Sequence, residues 1–425
     1  MTDYREMWSG LGLDLQTHDA VLEIVGKMYG EVYMSQKNRP KGMEYFDFVM
    51  SEIHGLRIKE LMDAKAEGRK IIGTFCVFVP EELILAVNGI SVGLCAGAEL
   101  AFDAAEQFIP RNTCALIKSA FGFKLAKVCP YIESADLIVG ENTCDGKKKA
   151  YESYKDLVGN LYVMDLPQVK SSEGKVLLKA EYQKFAKKLE ELSGNKITKE
   201  SLQKGIEIVN SKRKAIKRLS DLRTANPTPI SGLDALLINQ VYFYDDPIRF
   251  TNSVNALCDE LELRIKTGVG VFSNKTPRIL VSGCPMAVPN WKIPQIIETS
   301  NATIVGEEMC TGERGTRNFV ANENLSTEEM INAIVDRYFN IDCAIFTPNN
   351  ERYENIKQMA KQYKADGVIY YSLQFCQPYQ NESISIEKML EKEGIPVLNI
   401  DTDYSSEDIG QLKTRIEAFI ERIKS

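Results

Sequence analysis

Residues 114–149 read CALIKSAFGFKLAKVCPYIESADLIVGENTCDGKKK. Three cysteines, Cys114, Cys129 and Cys144, share this window with one strand-like apolar run and a lysine run. The run ADLIVGENTCDG predicts a strand that ends near Cys144 and hands over to a helix, and Cys114 falls near the start of an earlier helix. A strand ending on a cysteine and followed by a helix is one unit of an α/β fold.

The same unit recurs on both sides. Upstream, RKIIGTFC predicts a strand ending at Cys76, followed by the helix EELILAVNG with Pro80 in its first turn and Gly89 past its end. ISVGLC is the next strand and ends at Cys95, AELAFDAAEQFIP reads as a helix, and LYVMDLP closes the unit at Pro167. Downstream, PRILVSGCP, NATIVGEEMC, ADGVIYYSLQFC and IPVLNIDTDY are strands, the first three leading to Cys284, Cys310 and Cys376. IDCAIFTPN is expected to be a further strand with Cys343 at its beginning, and the chain ends in the amphipathic helix LKTRIEAFIERIKS. Before the first unit, LQTHDAVLEIVGKMYGEVYMSQ and MEYFDFVMSEIHGLRIKELMDAKAEG repeat apolar residues at helical spacing. Between the units, residues 171–224 are helical and highly charged, Ile197 and Thr198 open a new helix, NPTPISGLD is a loop, and helices continue to residue 268.

The expectation is an α/β protein with two doubly wound, Rossmann-like parallel sheets: an N-terminal helical arm at 1–70, a first domain at 71–170, a helical connector at 171–275 and a second domain at 276–425.

A chain of 425 residues, 44% apolar, can bury a large core, and its net charge of -7 supplies no broad basic surface for nucleic acid or anionic lipid. No apolar run reaches membrane-spanning length, and MTDYREMWSGLGLDLQTHD carries acids where a signal peptide needs a basic start, so the expected location is the cytoplasm. Ten cysteines there are core, catalytic or metal-bound rather than a disulfide framework. Only His18 and His54 are available as imidazoles, and neither lies near a cysteine cluster, which leaves thiolates as the soft ligands.

In open α/β sheets the carboxyl ends of the strands form the ligand-binding edge. Cys76, Cys95, Cys144, Cys284, Cys310 and Cys376 each follow a strand-like run, so two sheets facing across a cleft would bring them together, joined by Cys114 and Cys129 from loops. A free cysteine usually serves as a small hydrophobe. That reading is taken for Cys258, in mid-helix, and for Cys343, at a strand start. All-thiolate sets suit zinc or iron-sulfur clusters; structural zinc favours paired CxxC knuckles, which are absent, so dispersed single cysteines fit a cluster held between domains better. GxxxxGK[ST] is missing, so CDGKKK is no phosphate loop, and GLCAG and GERGTR lack a dinucleotide fingerprint. Around Cys310, Glu307, Glu308 and Arg314 suit either a small polar substrate or a surface salt bridge.

Taken in order, PEELILAVNG, CALIKSAFG, DLIVGENTCDGKKK, SGCP, EEMCTGERGT, TPNNERYENI, ADGVIYYSLQFCQPYQNES and IPVLNIDTDYSSEDIGQLKTRIEAF resemble the superfamily of 2-hydroxyacyl-CoA dehydratase component D and benzoyl-CoA reductase. Within it the chain is most similar to the double-cubane cluster proteins. The resemblance implies that the shared three-cysteine pattern of one four-iron cubane falls on Cys114, Cys144 and Cys376. It further implies a second cubane held by Cys95, Cys129 and Cys284, because two cubanes joined by a bridging sulfide want six thiolates. Cys76 and Cys310 are alternatives for one of these and otherwise line a substrate pocket with Glu308 and Arg314. The implied activity is that of an iron-sulfur oxidoreductase that reduces small molecules such as acetylene, azide or hydrazine. Its electrons would come from a separate homodimeric ATPase carrying its own four-iron cluster, so ATP is used by the partner. A homodimer of this chain is also expected. A single-cubane acyl-CoA dehydratase or reductase subunit and a non-catalytic electron carrier are the competing readings.

Overall fold

The computed structural model describes residues 4–424; the first residues of the expected arm and Ser425 of the expected terminal helix lie outside it. Among the described residues, eight strands form two sheets. The first contains β1 (Ile71–Thr74), β2 (Ile90–Gly93), β3 (Leu137–Glu141) and β4 (Leu161–Met164), and the second β5 (Arg278–Gly283), β6 (Thr303–Glu308), β7 (Gly367–Leu373) and β8 (Val397–Thr402). All pairings are parallel, with register partners such as Ile72↔Leu137 and Ser282↔Tyr370. The strand orders are β2-β1-β3-β4 and β6-β5-β7-β8, so the two halves repeat one topology. β1, β3, β5, β6 and β7 are buried at every position, as expected of parallel strands covered by helices on both faces.

In such an order the chain reverses direction between the two central strands, and the crevice outside their carboxyl ends is the natural ligand site. In the first sheet that point lies between β1 and β3, and in the second between β5 and β7.

Four helices, α1 (Arg5–Gly10), α2 (Leu15–Tyr29), α3 (Met43–Ser51) and α4 (Leu56–Ala66), precede β1. α5 (Glu81–Ala86), α6 (Phe102–Ala105), α7 (Ala115–Leu125), α8 (Pro130–Ser134) and α9 (Asp145–Val158) belong to the first half. The segment expected as the helix AELAFDAAEQFIP keeps only the four residues of α6, because Ala101 before it adopts a left-handed φ of 50°. Four helices then connect the sheets: α10 (Ser172–Ser193), α11 (Lys199–Leu222), α12 (Gly232–Val241) and α13 (Pro247–Lys266). Their starts follow local chemistry. The Ser171 and Ser231 side chains cap α10 and α12, Thr198 and Ser201 form a capping box on α11, and Asp246 caps α13 ahead of Pro247. The second half contributes α14 (Lys292–Thr299), α15 (Thr327–Phe339), α16 (Asn350–Gln362), α17 (Gln377–Lys392) and α18 (Ile409–Lys424). α15 crosses over: Met330, Ile334, Val335 and Tyr338 join a core with β1, β3 and α5 of the first half and with the connecting helix α10.

IDCAIFTPN is not a strand. The Asp342 carboxylate is held by Arg317 at 3.1 Å and Asn355 at 2.8 Å, and the Cys343 carbonyl accepts from Phe346 N–H at 3.2 Å and Asn349 Nδ2 at 2.9 Å. Its backbone and acidic groups are thus satisfied inside a turn, and no ladder is needed.

The arm is tied down by aromatic and charged contacts. Tyr33 packs edge-on to Trp291 at 5.2 Å, Arg39 bridges Asp47 and Asp234 at 2.8 Å each, and Arg57 Nε donates to the Tyr244 carbonyl at 2.6 Å. The two histidines meet here, His18 Nε2 lying 3.0 Å from His54 Nδ1, with Trp8 edge-on to His18 at 4.4 Å. Trp8 Nε1 donates to the His54 carbonyl at 2.6 Å. Burial lowers both imidazole pKa values, and the neighbouring ring lowers that of His54 further.

The folded arm therefore holds neutral imidazoles that the unfolded chain protonates below about pH 6.5. Their contribution is complete above that value and is lost as pH falls toward the depressed folded values, by at most about 1.4 kcal/mol per pH unit for each ring. Acidification from neutrality to about pH 5 is expected to loosen the arm before the sheets unfold. Trp8 fluorescence in a Trp291→Phe background follows it, and His18→Phe should flatten the dependence.

Candidate thiol-lined site between the two sheets

Eight of the ten cysteines line one cavity of about 830 Å³: Cys76, Cys95, Cys114, Cys144, Cys284, Cys310, Cys343 and Cys376. Four come from each half, in matching places. Cys76 and Cys284 follow the first strand of their sheets, and Cys95 and Cys310 the second. Cys114 and Cys343 lie in the segments that lead toward the third strand, and Cys144 and Cys376 directly precede the helix after it. Both topological crevices therefore open into a single space.

Side-chain proximity divides the eight thiols. Cys376 shares hydrogen bonds with Cys114 and Cys284, and Cys144 lies close to Cys114 and Cys376. Cys114, Cys144 and Cys376 are also the N-cap residues of α7, α9 and α17, so three helix N-termini converge there and favour negative charge. Lys147 N–H donates to Cys144 Sγ at 3.5 Å. The other group is Cys76, Cys310 and Cys343, each within electrostatic reach of the others. Cys95 donates to the Phe75 carbonyl at 3.1 Å, and Cys284 Sγ accepts from Leu373 N–H at 3.4 Å.

Burial pushes the thiols of Cys76, Cys144 and Cys310 upward and that of Cys95 to about 11. For Cys114 the hydrogen bond with Cys376 acts first and burial adds to it. The Cys114 bond works downward on Cys376, but its bond with Cys284 and its burial carry it well above the ordinary range. Thiols held protonated in this way are poor nucleophiles; a positive centre would displace their protons.

Behind Cys310 stands a buried charge network. Glu308 accepts from Arg314 Nε at 2.8 Å, pairs with Arg352 at 2.8 Å and accepts from Ser282 Oγ at 2.7 Å. Arg314 Nη1 reaches Cys310 Sγ at 3.6 Å and donates to the Tyr379 hydroxyl, which lies 3.9 Å from Cys343 Sγ. Arg352 Nε continues to Glu382 at 2.6 Å. Glu308 and Arg314, expected in a substrate pocket, therefore stand one layer behind the cavity wall, while Glu307 pairs with Arg223 at 2.5 Å.

Cys129, expected among the metal ligands, precedes α8 and does not line the cavity; burial lifts its thiol to about 11. Cys258 lies in the core of α13, as expected. Cys343, read as core, is buried and yet part of the cavity wall. The signal that could have singled it out is the repeat itself: the second half carries its cysteines in the same topological sequence as the first. Lys147 is the other residue missed. It lines the cavity and pairs with the fully buried Glu141.

A two-domain α/β protein with a thiol-lined chamber between its sheets is the class that fold and site define. The chain belongs to the 2-hydroxyglutaryl-CoA dehydratase D-component family, whose profile matches residues 76–423. A protein of Escherichia coli (strain K12) named as a dehydratase subunit, YjiM, is 37% identical over 370 residues, covering 85% of this chain and 94% of its own. The (R)-phenyllactyl-CoA dehydratase beta subunit of Clostridium sporogenes is 29% identical, covering 84% and 92%. One of the benzoyl-CoA reductase subunits of Thauera aromatica is 22% identical, covering 84% and 91%. No helix among the described residues is long and apolar enough to cross a membrane.

Removing the carboxylate of Glu308 leaves two buried guanidinium groups facing each other. Glu308→Gln is expected to cost about 3–5 kcal/mol of stability, whereas the exposed-pair variant Lys59→Gln should be near neutral. Denaturant unfolding of both variants checks the contrast.

Proposed function

We propose that the chain is an iron-sulfur oxidoreductase component that holds a double-cubane cluster in the cavity and reduces small molecules there. The carrying observation is the set of eight thiols, four from each sheet, on one cavity wall. The family consists of iron-sulfur-dependent dehydratase and reductase components that work with a separate activator, which supports both cofactor and partner. Cys114, Cys144 and Cys376 are the ligands of the first cubane. The proximity of Cys76, Cys310 and Cys343 supports these three as ligands of the second, instead of the expected Cys95, Cys129 and Cys284.

The donor set fits the group. Thiols are the ligands iron-sulfur clusters take, and a cubane draws each from a separate iron. A dispersed arrangement is therefore suitable, and among the described residues no three His, Cys, Asp or Glu side chains are gathered for a single ion. When bound, the cluster supplies low-potential electrons, delivered by a homodimeric ATP-hydrolysing protein with its own four-iron cluster. The residues of this chain do the rest. Three helix N-termini stabilise negative charge on Cys114, Cys144 and Cys376, and Arg314 does so at Cys310. Apolar walls including Ile117, Val288 and Phe346 limit water.

The lining also supports a small substrate over a CoA thioester. Its charged side chains are Asp145, Lys147 and Glu382, and Lys147 is committed to Glu141, so among the described residues the cavity offers no free cation for a nucleotide phosphate. We further propose a cytoplasmic homodimer, each chain with its own cavity.

Cysteine-to-alanine variants test the ligand set. Cys114→Ala, Cys144→Ala, Cys376→Ala and Cys343→Ala should each lose iron after anaerobic purification, whereas Cys258→Ala and Cys129→Ala should keep it. With the ATPase partner, MgATP and a reductant, the wild type should convert acetylene to ethylene. Full iron in Cys376→Ala would break the interdomain assignment; dehydration of an acyl-CoA without acetylene turnover would favour the single-cubane reading.

A further inference from the structure

A second, smaller chamber of about 40 Å³ lies behind Cys76, and the two cavities share Thr74, Cys76, Val77, Gly93 and Phe243 as walls. The small chamber is lined by three buried cations, Lys212, Arg213 and Arg337. Lys212 is matched by Glu81 at 3.0 Å, and Arg213 by Glu82 at 2.7 Å. Arg337 is paired with no carboxylate among the described residues. Its Nε donates to the Asn318 carbonyl at 3.1 Å and its Nη2 to the Gly315 carbonyl, both neutral acceptors.

Each of two lining residues keeps a donor without an acceptor among the described residues, Nη1 of Arg337 and Nε of Arg213, and both are at most 3% exposed. Both guanidinium groups lie against the Tyr338 ring, at 4.4 Å for Arg337 and 5.5 Å for Arg213 from its centroid. The Tyr338 hydroxyl accepts from Arg213 Nη2 at 3.0 Å and donates to Glu82 Oε2 at 2.8 Å, and neither orphaned donor bonds to it. A buried guanidinium with no directly paired carboxylate is costly even with Glu82 in electrostatic reach, and orphaned buried donors beside a polar void call for an occupant. The void is large enough for an occupant of roughly the size of one to three waters.

We propose that this chamber is an anion site that takes one small monovalent anion of halide size between Arg213 and Arg337. Such an ion supplies the acceptor both donors lack and cancels the surplus positive charge. It also sets a fixed negative charge against the wall that carries Cys76. Larger oxyanions such as phosphate do not suit so small a space, and a cation is excluded by the charges that line it.

Bromide is the probe. Crystals of the full-length protein grown with sodium bromide should give an anomalous difference peak between Arg213 and Arg337 at the bromine edge. In solution the melting temperature of the wild type should be a few degrees higher in sodium bromide than in sodium gluconate of equal ionic strength, by preferential binding to the folded state. Arg337→Gln should abolish that difference. If this variant does not fold, the wild-type map and salt comparison decide alone. Absence of the peak, or equal melting of the wild type in the two salts, overturns the proposal and assigns the chamber to water.

Discussion

A parallel sheet whose strand order reverses at its centre leaves a crevice outside the carboxyl ends of its two middle strands, and in this protein two such crevices open into one cavity. That constraint explains why cysteines scattered from position 76 to position 376 meet. None needs a close sequence neighbour, since every one is delivered by a strand end or by the segment leading into a helix. The close approaches behind the site depend on the same geometry. Gly283, with φ +131°, has no room for a side chain because a Cβ there would lie 1.9 Å from the Tyr371 carbonyl, and this lets Cys284 follow β5 directly. Phe375, in a left-handed conformation just before Cys376, marks the corresponding turn after β7.

The two groups of thiols are treated differently by the protein. One is met by the positive ends of three helices, and the other by Arg314, which is itself neutralised by Glu308, a carboxylate that Arg352 also holds, and is fixed by Tyr379. Helix termini impose a diffuse, partial charge, whereas a guanidinium 3.6 Å from a sulfur imposes a directed one. Each group draws on both halves, so the electrostatic difference runs across the cavity and not between the two sheets.

Much of this was legible in the sequence. The eight strands stood out because buried parallel strands read as continuous apolar runs bounded by turns, as in IIGT, LIVGE and GVIYYSL. The strand-end cysteines followed from them. What was hidden is tertiary. IDCAIF has the composition of a strand, but Asp342 and Asn349 close it into a turn, and this brings Cys343 to the cavity. Cys129, close in sequence to two cavity cysteines, sits at the start of the short α8 and outside the cavity lining. Composition misleads at the first position and sequence proximity at the second, because the fold sorts side chains by topological place and not by spacing along the chain. The retreat of Glu308 and Arg314 behind the wall was equally invisible, since their partner Arg352 is 44 residues from Glu308.

The proposed function requires that one chain, without a second type of chain beside it, holds two cubanes between its sheets. Iron and acid-labile sulfide per chain, measured on anaerobically purified wild-type protein, test this most directly. The expected result is about eight irons and slightly more sulfides per chain. A value of about four irons per chain would contradict it and leave a single cubane on Cys114, Cys144 and Cys376.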